Sequence, residues 1–213
     1  MEGTSGMGGT DMGGAHMDGA HIGGPSGMGG HTMSDGSWAL DEAAGGRLSA
    51  RWWKWALSAP DDRSPVGDTT GEHAGWKQPA DVWFLAGTYG GRVTRRCEVP
   101  SGRPLFFPVI NIQHSRAYSK EPRILPVKEA TAFLNGSELP LREFACHSFR
   151  IGLTRNLAWG IWGGIAPLTP GHYVLEIKGS TQDGFWVDTT YHLTVVDHRD
   201  HRDHRDHRDH KDH

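Results

Sequence analysis

The residues with the most metal-binding chemistry lie at the two ends of this 213-residue chain. Of its fourteen histidines, six stand at positions 198, 201, 204, 207, 210 and 213, inside the repeat DHRDHRDHRDHRDHKDH. Neutral imidazole is a borderline donor that suits Cu(II), Zn(II) and Ni(II), and an aspartate beside each ring can add an oxygen or orient the imidazole. A three-residue repeat lines up along one edge of a polyproline-type chain and slips by about 60° per repeat on an α-helix; both keep His198, His201, His204, His207, His210 and His213 close together. A competing reading is a charge switch, because six histidines titrating near pH 6.5 would carry the tail from about −1 toward about +5 on acidification. At the other end, Met7, Met12, His16, Met17, His21, Met28, His31 and Met33 interrupt a glycine-rich run, and all six methionines of the chain fall within its first 33 residues. Thioether and imidazole together suit Cu(I). The plainer alternative is a low-complexity linker.

Weaker constellations lie inside the chain. In His172 to Lys178 and Trp186 to Val195 the odd positions are apolar (Tyr173, Leu175, Ile177; Val187, Tyr191, Leu193, Val195), the pattern of a half-buried hairpin. Keeping both apolar sets on one face allows only even register shifts. His172, Glu176 and Lys178 then share the outer face with Trp186, Asp188, Thr190 and His192. His172, His192 and Asp188 could ligate a metal there, and the bland alternative is a hydrated polar sheet face. Asp68, Glu72 and His73 offer an oxygen-rich site in a loop whose composition also fits simple solvation. Cys97 and Cys146 are too few and too far apart for a zinc motif, leaving either one disulfide or two buried thiols. A bridge would close a loop of about fifty residues, contribute roughly 4 kcal/mol and imply an oxidising compartment.

The elements that must carry these residues are mostly strands. Val82–Thr88, Arg92–Val99 and Leu105–Asn111 are β-type runs separated by Tyr-Gly-Gly and Pro-Ser-Gly breaks, the spacing of a meander. Asn135-Gly136 inside Thr131–Leu141 marks a hairpin turn. Between Asp41 and Ser58 the residues Leu48, Trp52, Trp55 and Ala56 recur with helical period, ending before Pro60. Adjacent positions diverge by about 100° on a helix, so Trp53 is left over for a surface or a ligand. The expected architecture is mainly β: an antiparallel β-sandwich, Ig-like or jelly-roll-like, with one short N-terminal helix and two low-complexity tails. Its organisation is a flexible Gly/Met/His arm at 1–36, a sandwich domain at 37–196 and a His-Arg-Asp tail at 197–213, neither tail having the apolar content to join a core.

Composition excludes several classes. Net charge is −3 and no segment has the basic footprint of a nucleic-acid binder. No apolar run approaches the ~18 residues of a membrane span, and the first residues lack the basic-then-apolar pattern of a signal peptide. No nucleophile elbow, phosphate loop or metalloprotease helix appears, so the chain does not read as an enzyme and no catalytic or cofactor-binding residue is assigned.

Three stretches, RWWKWALSAPDDRSPVGDTTGEHAG, VWFLAGTYGGRVTRRCEVPSGRPLFFPVIN and PLTPGHYVLEIKGSTQDGFWVDTTYHLTV, together resemble a family of uncharacterised, mostly secreted bacterial proteins with the motifs WWxWALSxP, VWFLAGTxGG, CxVPxGxxLFFPVxN and DGFxxDxTYHLTV. The resemblance covers about two-thirds of the chain and implies a shared fold and a secreted or extracytoplasmic life. This chain departs from it in its missing leader and in reading TTGEHAG where the pattern carries a cysteine. The sequence thus points to a metal-binding protein for copper, zinc or nickel. The alternative is a glycan-binding, surface-adhesion or self-assembling module using Trp53, Trp76 or Trp186 and its sheet edges.

Overall fold

The computed structural model describes residues 30–32 and 36–197. In chain order the elements are β1 (Gly30–Thr32), β2 (Trp38–Leu40), α1 (Glu42–Ala56), a 3-10 turn at Asp61–Arg63, β3 (Trp83–Phe84), β4 (Gly91–Pro100), β5 (Leu105–Ser115), β6 (Val127–Leu134), β7 (Ser137–Glu138), β8 (Leu141–Ile151), β9 (Thr154–Ile165), β10 (Gly171–Thr181) and β11 (Trp186–Val196). Two sheets pack face to face, one ordered β4-β11-β10-β6-β7 and the other β3-β5-β9-β8, while β1 and β2 form a small ribbon. The main core lies between the sheets around Phe107, Ile110, Trp159, Leu175, Tyr191 and Leu193.

This is the expected β-sandwich with one helix, with two corrections. The sheets are mixed, because β4 runs parallel to β11 and β3 parallel to β5. The three runs from Val82 to Asn111 do not form a meander, since β4 and β5 lie in different sheets. The reason is the number of apolar faces on each strand. In β4 the residues Arg92, Thr94, Arg96 and Glu98 make an exposed face, so the strand belongs to a sheet wetted on one side. In β5 every residue from Leu105 to Ile110 is buried, so both faces need cover. Helix α1 supplies that second cover, and the short connection from Pro100 to Leu105 crosses between layers. The ladder of β5 with β9 shifts register between Pro108 and Ile110, a bulge at the residue that cannot donate to it.

Asp41 caps α1, its carboxylate accepting from Ala44 N at 2.6 Å, and Glu42 follows in the first turn. The buried face carries Leu48, Trp52, Trp55 and Ala56, as their spacing predicts, against Phe84, Phe106, Phe144 and Trp162. Trp52 donates its indole N–H to Leu85 O at 2.8 Å and Trp55 to Trp76 O at 2.6 Å. Trp53 is not left over: it is half-buried, edge-on to Trp52 at 5.1 Å. Two mid-helix glycines, each costing up to about 1 kcal/mol in helix propensity relative to alanine, permit close approach to β8. A Cβ on Gly45 would come 2.3 Å from the Phe144 ring, and one on Gly46 would come 2.7 Å from the Ala145 carbonyl oxygen.

The hairpins follow their turn chemistry. Asn135 (φ 49°) and Gly136 (φ 81°) both take the left-handed conformation between β6 and β7. β10 and β11 pair antiparallel over their whole length, with Leu175, Ile177, Val187, Tyr191, Leu193 and Val195 inward. The described body is entered and left at one end of the sandwich. There Gly36 O accepts from Ala166 N at 2.9 Å, Ser37 bridges to Ile165, and Ser101 Oγ donates to Asp197 at 2.7 Å. The β8–β9 hairpin turn lies at the opposite end.

Gly46→Ala tests the close approach. Helix propensity alone would stabilise the variant; the backbone contact reverses the sign, and urea unfolding should show a loss of about 1–3 kcal/mol.

Candidate functional site

The most unusual side chain in the body is Arg95, on β4 and only 1% exposed. It stands among the inward positions Val93, Cys97 and Val99, where a cation is costly unless its donors are met. They are met by oxygens. Nε donates to Asp68 O at 2.7 Å and Nη2 to Val66 O at 3.0 Å. Nη1 reaches Ala86 O and Gly87 O, each at 2.9 Å, and the Tyr191 hydroxyl at 2.7 Å. Tyr191 in turn donates to Ala86 O at 2.8 Å and accepts from Ala86 N at 3.1 Å. Burial pushes the Tyr191 hydroxyl up to about 12, against the pull of the Arg95 charge. The knot fixes the loop at Val66–Asp68 and positions the residues around it.

Asp68, at the rim, faces the loop pocket it shares with Asp61, Asp62, Glu72 and His73. Its carboxylate accepts from the backbone N–H of Thr70 at 2.7 Å and of His73 at 2.9 Å. Burial works to raise its pKa, but these backbone donors outweigh it and hold the carboxyl below the ordinary aspartate value. The loop carboxylate thus serves its own turn, with Arg96 N donating to Thr70 O at 2.8 Å to pin the loop onto β4.

The outer sheet face shows which predicted ligands meet. His172 pairs in register with Thr194 and His192 with Val174, so the two histidines are diagonal neighbours. His172 Nδ1 lies 3.3 Å from Thr194 Oγ1. Asp188 stands four residues along the strand from His192, roughly 13 Å at strand rise. It is flanked by Lys178 and Arg92 and takes Arg92 Nε at 2.9 Å. The expected set of His172, His192 and Asp188 is therefore not gathered, and among the described residues no group of three His, Cys, Asp or Glu side chains could hold a metal. Met7, Met12, His16, Met17, His21, Met28, Met33 and the six tail histidines lie outside the described residues. Of His31 only the backbone is described, paired with Ala39.

Of the three tryptophans proposed as surface platforms, Trp53 and Trp76 are half-buried, and the Trp76 indole donates to Ser58 Oγ at 3.1 Å. Trp186 is 48% exposed and has exposed aromatic company in Phe185 and Tyr89. All three sit where β4 and β11 begin: Gly91 pairs with Val187, and a Cβ on Gly90 would stand 3.4 Å from the Phe185 ring.

Sequence reasoning missed two features. Arg95 had a signal, because an alternating strand puts it on the same face as Val93, Cys97 and Val99. The polar run at the end of β5 had a weaker one. Asn111 Nδ2, Gln113 Oε1 and both ring nitrogens of His114 are buried without a hydrogen-bond partner, as are the indole nitrogens of Trp53 and Trp162.

Cys97 and Cys146 are free thiols in different sheets, so the disulfide alternative is not taken, and neither thiol is fully buried as the other alternative expects. Burial pushes the Cys97 thiol up to about 12, against the Arg95 charge. Cys146 lines a groove of about 450 Å³ between α1 and β8, beside Glu42 and Arg47. A disulfide-exchange reagent at pH 8 should therefore label one thiol in the native protein and the second only on unfolding. Arg95→Met should cost about 3–5 kcal/mol in chemical denaturation, since it abandons several buried oxygens at once. Compared with known families and with curated proteins, the chain finds no match to any family model and none to any curated protein.

Proposed function

We propose that this protein binds transition-metal ions through its donor-rich terminal segments and that the β-sandwich is their rigid carrier. One observation carries the reading: histidine recurs at every third position from 198 to 213 with an aspartate beside each, a periodicity that a merely solubilising tail does not need. The clustering of all six methionines in the first 33 residues supports a softer, Cu(I)-preferring counterpart at the other end. In the body, Arg95 and Asp68 are already engaged by backbone groups, in the buried knot and in the loop turn. The extracytoplasmic address implied by the sequence resemblance belongs to this reading, as an environment in which metal buffering or delivery has a use.

The test is equilibrium titration of the full chain with Cu(I), Cu(II), Zn(II) and Ni(II). Replacing His198, His201, His204, His207, His210 and His213 with alanine should lower the Zn(II) and Ni(II) stoichiometry. Replacing Met7, Met12, Met17, Met28 and Met33 with leucine should lower Cu(I) binding alone. Unchanged stoichiometry in both variants would end the proposal. Removing the tail histidines should also leave the pH dependence of unfolding between 5 and 8 as in the parent chain, because the tail carries no apolar side chain with which to join a core.

A second reading is favoured by the exposed trio of Tyr89, Phe185 and Trp186, a surface suited to the flat face of a sugar. On that reading Trp186→Ala weakens binding to a polysaccharide panel while leaving metal stoichiometry intact.

A further inference from the structure

At the end of the sandwich opposite Gly36 and Asp197, three arginines stand in a row across three consecutive strands. Arg150 and Arg155 are direct cross-strand partners on β8 and β9. Arg116, just past β5, donates its backbone N–H to Arg155 O at 2.8 Å and so continues the row. Like charges placed directly opposite destabilise an antiparallel pair, so nothing in the fold asks for this arrangement. All three are exposed, and among the described residues neither ion pair involves any of them. The loop from β5 to β6 adds Lys120 and Arg123 to the same end. Asp183, in the β10–β11 turn at this end, accepts from the Thr181 hydroxyl and feels the charge of Arg123.

Apolar side chains project from the same end. β8 and β9 join through the two-residue turn Gly152–Leu153, with Gly152 at φ +57° supplying the conformation a tight hairpin needs at its first central position. The second position would ordinarily carry a polar residue. Here it is Leu153, 96% exposed, and the adjoining loop presents Tyr118 at 87% and Ile124 at 66%. Isolated exposed apolar residues need no explanation, but three of them around an unpaired arginine row do. Guanidinium binds phosphate oxygens in bidentate fashion, and apolar tips beside it can enter a headgroup layer. A soluble polyanion would use the arginines and have no use for a leucine at the tip of a turn.

We propose that this end of the sandwich docks on an anionic phospholipid surface, with Leu153, Tyr118 and Ile124 in the headgroup layer and Arg116, Arg150 and Arg155 on lipid phosphates. The contact is peripheral. Gly36 and Asp197, beyond which the proposed metal donors lie in sequence, stand at the opposite end.

The test is flotation of the full-length protein, with a chelator present, on vesicles of phosphatidylcholine alone and of phosphatidylcholine mixed with phosphatidylglycerol. Binding to the mixed vesicles alone, weakened by salt, is expected. Arg150→Glu combined with Arg155→Glu should weaken it roughly tenfold or more, and Leu153→Asp should weaken it comparably. All three substituted side chains are exposed, so both variants should keep the parent unfolding midpoint, measured alongside. No flotation with the anionic vesicles overturns the proposal, as does binding that survives both variants. Loss in the arginine variant with full retention in Leu153→Asp also overturns it, because that pattern belongs to a soluble polyanion.

Discussion

A single buried guanidinium holds this sandwich in register. Arg95 belongs to β4 and Tyr191 to β11 of the larger sheet, whereas Ala86 and Gly87 follow β3 of the smaller one, and the hydrogen bonds among them tie the two layers together. Among the described residues no carboxylate pairs with the cation; its charge is spread over the carbonyl oxygens of Val66, Asp68, Ala86 and Gly87. Such an arrangement tolerates burial only because every oxygen is fixed by backbone that is itself fixed elsewhere. The long irregular stretch from Asp61 to Pro79 is therefore an ordered piece of the fold, stitched to β4 through Arg95 and through Arg96 N to Thr70 O.

A second constraint is that one sheet has to be covered twice. The apolar run of β5 and the glycine-studded β9 leave an outer face that only a large, flat aromatic surface can fill. Trp52, Trp55 and Trp162 do this, with Phe106 stacked on Trp162 at 5.0 Å. The glycines work from both sides. Gly45 and Gly46 let α1 down onto β8, and Gly163 lies where a Cβ would be 2.2 Å from the Phe107 ring. Helix and sheet meet by removing side chains at the points of closest approach, and aromatic volume fills the remaining space.

How much of this could be read from the residues differed with the range of the interaction. The helix from Asp41, the Asn135-Gly136 turn and the inward odd positions of the last hairpin were legible because each is written in local period or local turn chemistry. Strand partnership was not. The runs before and after Pro100 look alike as strands, and what separates them into different layers is whether one face or two is apolar, a difference visible in Arg92, Thr94, Arg96 and Glu98 but easily overruled by the attractive spacing of a meander. The outer-face histidines were placed correctly, yet their ligand set failed on a distance along the strand. Periodicity fixes the face a residue shares, and it says nothing of the neighbour, here Arg92, that claims Asp188 first. The arginine row escaped notice because Arg116, Arg150 and Arg155 are adjacent only after three strands are aligned.

The tight connection from Pro100 to Leu105 has one further consequence. Leu105 pairs with Ile165, which bridges Ser37, while Ser101 holds Asp197, so the first and last residues of the folded body are moored to neighbouring points. One short connection therefore anchors both ends of the body, and fraying at either end is felt at the other through it.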